Sequence, residues 1–213
     1  MKLREQIAVF INLGYTFNYP FDVNNFINVM KLMYSDLSIE EIELFFEFPD
    51  GRFISKKPYH SLYFHLGCSI NNTDTFITNN CLWWDMEYFD VDGRTEFIKF
   101  MERMGFMSRG ELKFTEIICY DNNGDDDKYM EFKVNGIYKK WHLGFDIPNS
   151  YIQRFALLCE ELTTKGKFTI YDDGGQQFVL DYATEQELLT FNAVTKLNRK
   201  FLIDANFFEL PVD

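Results

Sequence analysis

The sequence predicts an α+β fold in which antiparallel sheets, built from hairpins and meanders, are flanked by helices. Three observations carry that expectation. Short segments of the second half alternate apolar and polar residues, and two of them meet at Asn135-Gly136, a dipeptide suited to a two-residue hairpin. Another pair is joined by the turn Asp172-Asp173-Gly174-Gly175. Helical periodicity occurs between these segments without alternating regularly with them, which argues against a doubly wound parallel sheet.

Taken in order, Leu3, Ile7, Phe10 and Ile11 have helical spacing, and Gly14 ends that helix. Asp22 is placed to cap a second helix with Val23, Phe26, Ile27, Met30 and Met33 on one face. The stretch Ile39 to Phe48 gives two signals. Ser38-Ile39-Glu40-Glu41 has the pattern of a capping box, yet Ile42, Leu44, Phe46 and Phe48 alternate, and the turn Pro49-Asp50-Gly51 favours a strand entering a hairpin. Further strands are expected at Ser61 to Leu66 and Leu82 to Phe89, separated by the polar loop Asn71 to Asn80. A helix follows Asp92-Gly93, with Phe97, Ile98, Met101 and Met104 as its buried stripe and Gly105 as its stop.

Lys113 to Tyr120, Tyr129 to Val134 and Ile137 to Phe145 read as a three-stranded antiparallel meander. Pro148-Asn149-Ser150 opens a helix carrying Ile152, Phe155, Cys159 and Leu162 on one face. Lys167 to Tyr171 and Gln177 to Tyr182 form a second hairpin, and the capping box Thr184 to Glu187 leads into a last helix over 185–198. Phe207, Phe208 and Leu210 make the tail apolar enough to dock. Residues 1–213 are expected to form a single domain, with a division near 106–111 conceivable but marked by no Pro/Gly/Ser-rich linker.

Composition narrows the function classes. Hydrophobic residues make up 46% of the chain, so a sizeable core forms without staples. There are 24 Phe and 12 Tyr, an enrichment that an AT-rich genome or aromatic interface anchors would each produce. The net charge of −12 repels nucleic acid and anionic membrane surfaces, and Lys56-Lys57 and Lys139-Lys140 are isolated pairs, not a compensating patch. A basic protein partner is electrostatically favoured. Cys68, Cys81, Cys119 and Cys159 lack disulfide-scaffold density and zinc spacing, and read as reduced core thiols. The apolar run Ile7 to Ile11 is too short for a signal peptide, and no stretch approaches a membrane span, so a cytoplasmic location is expected.

No nucleophile elbow, phosphate-cradling loop, zinc-protease helix or dinucleotide fingerprint occurs, so no catalytic residue and no cofactor is assigned. The acidic segment 121–127 invites a calcium reading, but an EF-hand would need glycine where Asp126 stands and glutamate where Phe132 stands. Asp121, Asp125, Asp126 and Asp127 are instead candidate partner contacts at a hairpin tip. His60 and His65 would fall on opposite faces of a strand, and His142 stands alone beside Trp141, so no metal site is assigned. On the strand 82–89, Trp83, Asp85 and Glu87 share one face and Trp84 lies on the other, a mixture of large rings and carboxylates suited to a basic partner. Asp172 and Asp173, at the second turn, join these candidates.

The segment Trp141-His142-Leu143-Gly144-Phe145, the helix after it, the run Lys167 to Gln176 ending in Asp-Gly-Gly-Gln, and the capped helix beyond resemble immunity proteins of bacterial polymorphic-toxin and contact-dependent inhibition systems. The resemblance covers about 141–198. It implies a cytoplasmic acidic protein that binds a cognate toxin domain, often a basic nuclease, and blocks its active site. No binding residue is carried over from it. A phage-type inhibitor or nucleic-acid mimic, and an enzyme with an unrecognised site, stay open as alternatives.

Overall fold

The computed structural model describes residues 1–18, 23–47, 58–70, 76–85, 94–120, 129–142, 147–172, 174–175 and 177–205. Along the chain lie α1 (Leu3–Asn12), α2 (Val23–Met33), α3 (Ile39–Glu47), α4 (His60–Leu66), β1 (Cys81–Asp85), α5 (Arg94–Met107), β2 (Phe114–Tyr120), β3 (Tyr129–Val134), β4 (Ile137–His142), α6 (Ile147–Glu161), β5 (Lys167–Asp172), β6 (Gln177–Ala183), α7 (Glu185–Thr195), β7 (Lys200–Phe201) and a 3₁₀ turn, Leu202–Asp204. The fold is α+β, with antiparallel sheets ordered β1-β6-β5-β7 and β2-β3-β4. By internal contacts the chain divides into two units. The first comprises Met1–Trp84, Ile170–Asp181 and Glu185–Arg199; the second comprises Asp85–Thr169, Tyr182–Thr184 and Lys200–Asp213.

Two expected strands are helices. At α3 the capping box prevails over alternation: the Ser38 N–H donates to Glu41 at 2.7 Å and the Glu41 N–H donates to the Ser38 hydroxyl at 3.2 Å. Helical spacing then buries Ile42 and Phe46 and leaves Leu44 52% exposed, so the apparent alternation marks no sheet face. At α4 every residue from Leu62 to Leu66 is buried, and a helix buried all round has no amphipathic period to distinguish it from a strand. The helix α5 also runs past Gly105 to Met107. A Cβ at Gly105 would come within 2.9 Å of the Phe114 ring, so this glycine serves a close approach and does not end the helix.

The first unit is built around an aromatic-rich core that includes Phe10, Tyr15, Phe26, Phe46, Tyr63 and Phe191. Inside it lies an ion pair, Arg199 with Asp181, whose side chains are each 3% exposed. One guanidinium nitrogen, Nη1, donates to Asp181 Oδ2 at 2.5 Å and to the hydroxyls of Tyr15 and Tyr63 at 3.1 and 3.2 Å. Both hydroxyls in turn donate to the same carboxylate oxygen. The guanidinium lies 4.1 Å from the Phe191 ring centroid, and reciprocal bonds between the Asn192 side chain and the Arg199 backbone hold the segment after α7. Burial, and after it the Asp181 carboxylate, pushes both tyrosine hydroxyls well above their ordinary range. Burial also opposes the guanidinium charge, but Asp181 and the two tyrosines outweigh it and Arg199 is held more firmly protonated.

The end of α4 meets β1 at Gly67, whose carbonyl accepts the Trp83 N–H at 2.9 Å. A Cβ there would stand 2.2 Å from that backbone nitrogen. Gly67→Ala is therefore expected to destabilise the protein by about 2 kcal/mol, since a strand backbone cannot yield as a flexible side chain does. Denaturant unfolding of the variant checks this, and wild-type stability would contradict it.

The second unit packs α5 and α6 on one face of the meander β2-β3-β4. Met130, Phe132 and Val134 of β3 point inward with Trp141 of β4. Phe155 of α6 lies 5.3 Å from the Trp141 ring and 5.8 Å from Phe114. The β3–β4 turn is Asn135-Gly136, both at positive φ (50° and 83°), as a two-residue hairpin requires.

Candidate partner-binding surface

Alternation along β3 sends Tyr129, Glu131 and Lys133 to the face opposite the helices, and register adds their neighbours. Tyr120 and His142 flank Tyr129, Ile118 and Lys140 flank Glu131, and Thr115 and Tyr138 flank Lys133. A bulge between Thr115 and Ile118, with Glu116 at a φ of 52°, keeps Ile118 and Tyr120 on this face. Ile118 is 48% exposed and Tyr138 57% exposed. Tyr120 and Tyr129 stack, with centroids 4.6 Å apart and planes 19° from parallel.

The charges of this face are paired within it. Lys133 bonds Glu116 at 2.7 Å, and Lys140 lies 3.4 Å from Glu131 and 3.6 Å from the centre of the Tyr129 ring. Partial desolvation, and after it the nearby Glu131 carboxylate, raise the pKa of the Tyr138 hydroxyl. On the covered side, Lys139 pairs with Glu161 of α6. What remains open to a partner is a sheet of tyrosines and an isoleucine with few unpaired charges, the composition of an interface centre.

The residues singled out from the sequence are distributed otherwise. Asp121, Asp125, Asp126 and Asp127 lie outside the described residues, in the segment that joins Tyr120 to Tyr129. Glu87 and Asp173 are outside them too, as are the tail aromatics Phe207 and Phe208. Trp83 is half-buried and packs against the core of the first unit, and Trp84 is half-buried as well. Asp85 is buried at 8% exposure. Asp172 is half-buried, and its carboxylate accepts the Gly174 N–H at 2.7 Å, which closes the turn.

His60 and His65 sit on a helix, α4, not a strand. His65 is buried beside Phe45 and Phe46, donates from Nδ1 to the Ser61 carbonyl at 2.7 Å and accepts the Tyr34 hydroxyl on Nε2 at 2.7 Å. His60 Nδ1 lies 2.8 Å from the Tyr171 hydroxyl. The four cysteines are unbridged; Cys81 and Cys159 are buried, Cys68 and Cys119 half-buried. Burial pushes the Cys68 thiol up to about 12, which removes it as a nucleophile at neutral pH.

Among the described residues no group of three His, Cys, Asp or Glu side chains is arranged to hold a metal ion. Nor is any helix among them long and apolar enough to cross a membrane. Comparison with models of known protein families, with curated proteins and with solved structures gives no match for this chain.

Proposed function

We propose that this chain is an immunity or inhibitor protein, which binds a cognate bacterial toxin domain of basic charge and neutralises it by covering its active site. The observation that carries the reading is the open face of β2-β3-β4, where half-exposed tyrosine and isoleucine anchors stand in a chain of net charge −12. Aromatic anchors supply affinity at the centre of an interface, and a negative field speeds encounter with a basic partner. In the sequence four aspartates lie between Tyr120 and Tyr129, the stacked pair of this face. The resemblance over 141–198 to immunity proteins supports the same reading.

A nucleic-acid mimic would leave carboxylates unneutralised along one face. Here Glu116 and Glu131 are matched by Lys133 and Lys140, which favours a protein partner. The test is co-expression with the protein encoded immediately upstream. The expected result is a stoichiometric complex and restored growth of cells that carry the active toxin; separate elution with undiminished toxicity would overturn the reading.

A further inference from the structure

The surface contains one cation already seated in a built environment. Lys140 Nζ lies 3.6 Å from the centre of the Tyr129 ring, at the negatively polarised face of the π-system. Tyr120 backs that ring, stacked at 4.6 Å. The Glu131 carboxylate, 27% exposed, stands 3.4 Å from the same ammonium. Ring and carboxylate thus converge on one positive charge. The lysine fills the place poorly: its side chain is 39% exposed and its contact with Glu131 is long for a charge-assisted bond. A guanidinium suits the place better, because its plane stacks on an aromatic ring while its paired N–H groups meet a carboxylate two at a time.

We infer that Tyr129, backed by Tyr120, and Glu131 form a receiving site for an arginine side chain of a basic protein partner, with the chain's own Lys140 as the resident stand-in that the arginine displaces. The inference rests on the proposed function for the identity of the partner, and on the geometry for the site. Charge complementarity names the occupant: a chain of −12 attracts a basic protein, and the seated ammonium shows that this spot accepts a cation. Displacement leaves Lys140 free to turn to solvent, and the partner's arginine takes over its contacts with Tyr129 and Glu131.

Lys133 provides a matched control. It lies on the same face, has the same 39% side-chain exposure and pairs with a glutamate, but among the described residues it has no aromatic ring beneath its ammonium as Lys140 has. The experiment titrates the full chain, carrying isotope-labelled tyrosine, with a six-arginine peptide and follows the Tyr129 and Tyr120 ring resonances. Lys140→Ala should tighten the saturable shift of these rings about fivefold, while Lys133→Ala leaves it unchanged. Glu131→Gln should weaken it about fivefold, Tyr129→Leu should abolish the Tyr120 shift, and a six-lysine peptide should bind more weakly than six arginines.

Equal effects of Lys140→Ala and Lys133→Ala would overturn the site, since non-specific attraction to an acidic chain predicts that equality. Ring shifts that depend on protein concentration without peptide, accompanied by a dimer in sedimentation, would overturn the assignment to another protein and give the site to a second copy of this chain. Failure of the proposed function is read separately. If the peptide seats at Tyr129 but the upstream-encoded protein forms no complex, the toxin reading falls and the arginine site stands; if that complex forms and Tyr129→Leu leaves its affinity intact, the reverse holds.

Discussion

Arg199→Met is expected to destabilise the protein by about 4 kcal/mol, the typical cost of stranding one member of a buried ion pair. The Asp181 carboxylate would keep the tyrosine hydroxyls at Tyr15 and Tyr63 but lose the guanidinium that pairs with it, and all four side chains belong to the first unit. The guanidinium also covers the Phe191 ring, so part of the loss is packing. Asp181→Asn strands the opposite charge and should cost a similar amount. The double variant Arg199→Met/Asp181→Leu removes both charges, and its stability should exceed that of either single variant, because replacing a whole buried pair by apolar groups is often near neutral. Urea unfolding of the three variants measures this. A loss below about 1 kcal/mol for Arg199→Met would mean that the pair is reached by solvent.

The second large effect is a loss of stability on the acid side, carried by His65. Burial, partly offset by its bond to the Ser61 carbonyl, lowers the His65 pKa from 6.5 to about 4. The folded state therefore holds this imidazole neutral through a range in which the unfolded chain protonates it. The unfolded state binds more protons between those two values, so stability present above pH 6.5 falls as pH drops toward 4, by about 3 kcal/mol in all. Glu41 pulls in the same direction, because its bonds to the Ser38 backbone and hydroxyl lower its pKa. The contribution of His65 is thus the difference between wild type and His65→Gln. Unfolding free energies at pH 7.5 and 4.5 should fall less steeply in the variant; parallel slopes would show that His65 is protonated without cost.

The parts of the fold that were legible in the sequence are those with a local physical cause. Asn135-Gly136 takes the positive φ values of its turn, and the alternation from Tyr129 to Val134 sorts inward Met130 and Phe132 from outward Tyr129 and Glu131. Where two local signals competed, at α3, hydrogen bonds between Ser38 and Glu41 outweighed an alternation that corresponds to no sheet face. At α4, burial on every side erased the period that separates helix from strand. The Arg199 cluster had no local signature, because Tyr15, Tyr63, Asp181 and Arg199 come from four distant segments that only the fold assembles.

The candidate surface was half legible. Its tyrosines could have been read from the outward positions of an amphipathic meander, the signal that placed Met130 and Phe132 inside. The aspartates of 121–127 and the tryptophans at 83 and 84 are more conspicuous in composition than these spaced tyrosines. Both tryptophans proved half-buried and Asp85 buried, while the open positions belong to Ile118 and Tyr138. Sequence alone does not say which face of a meander the helices cover. That depends on where α6 lays Phe155, against Phe114 and Trp141.

The central claim is that the open face of β2-β3-β4 holds a basic toxin domain. Its most direct test is the dissociation constant of the complex with the upstream-encoded protein, measured for wild type and for Ile118→Ala/Tyr138→Ala. Both side chains are about half exposed, so truncating them leaves the core intact. If they are central anchors, the double variant should bind about a hundredfold more weakly, on the order of 3 kcal/mol, with unchanged unfolding behaviour. A dissociation constant equal to that of wild type would contradict the claim.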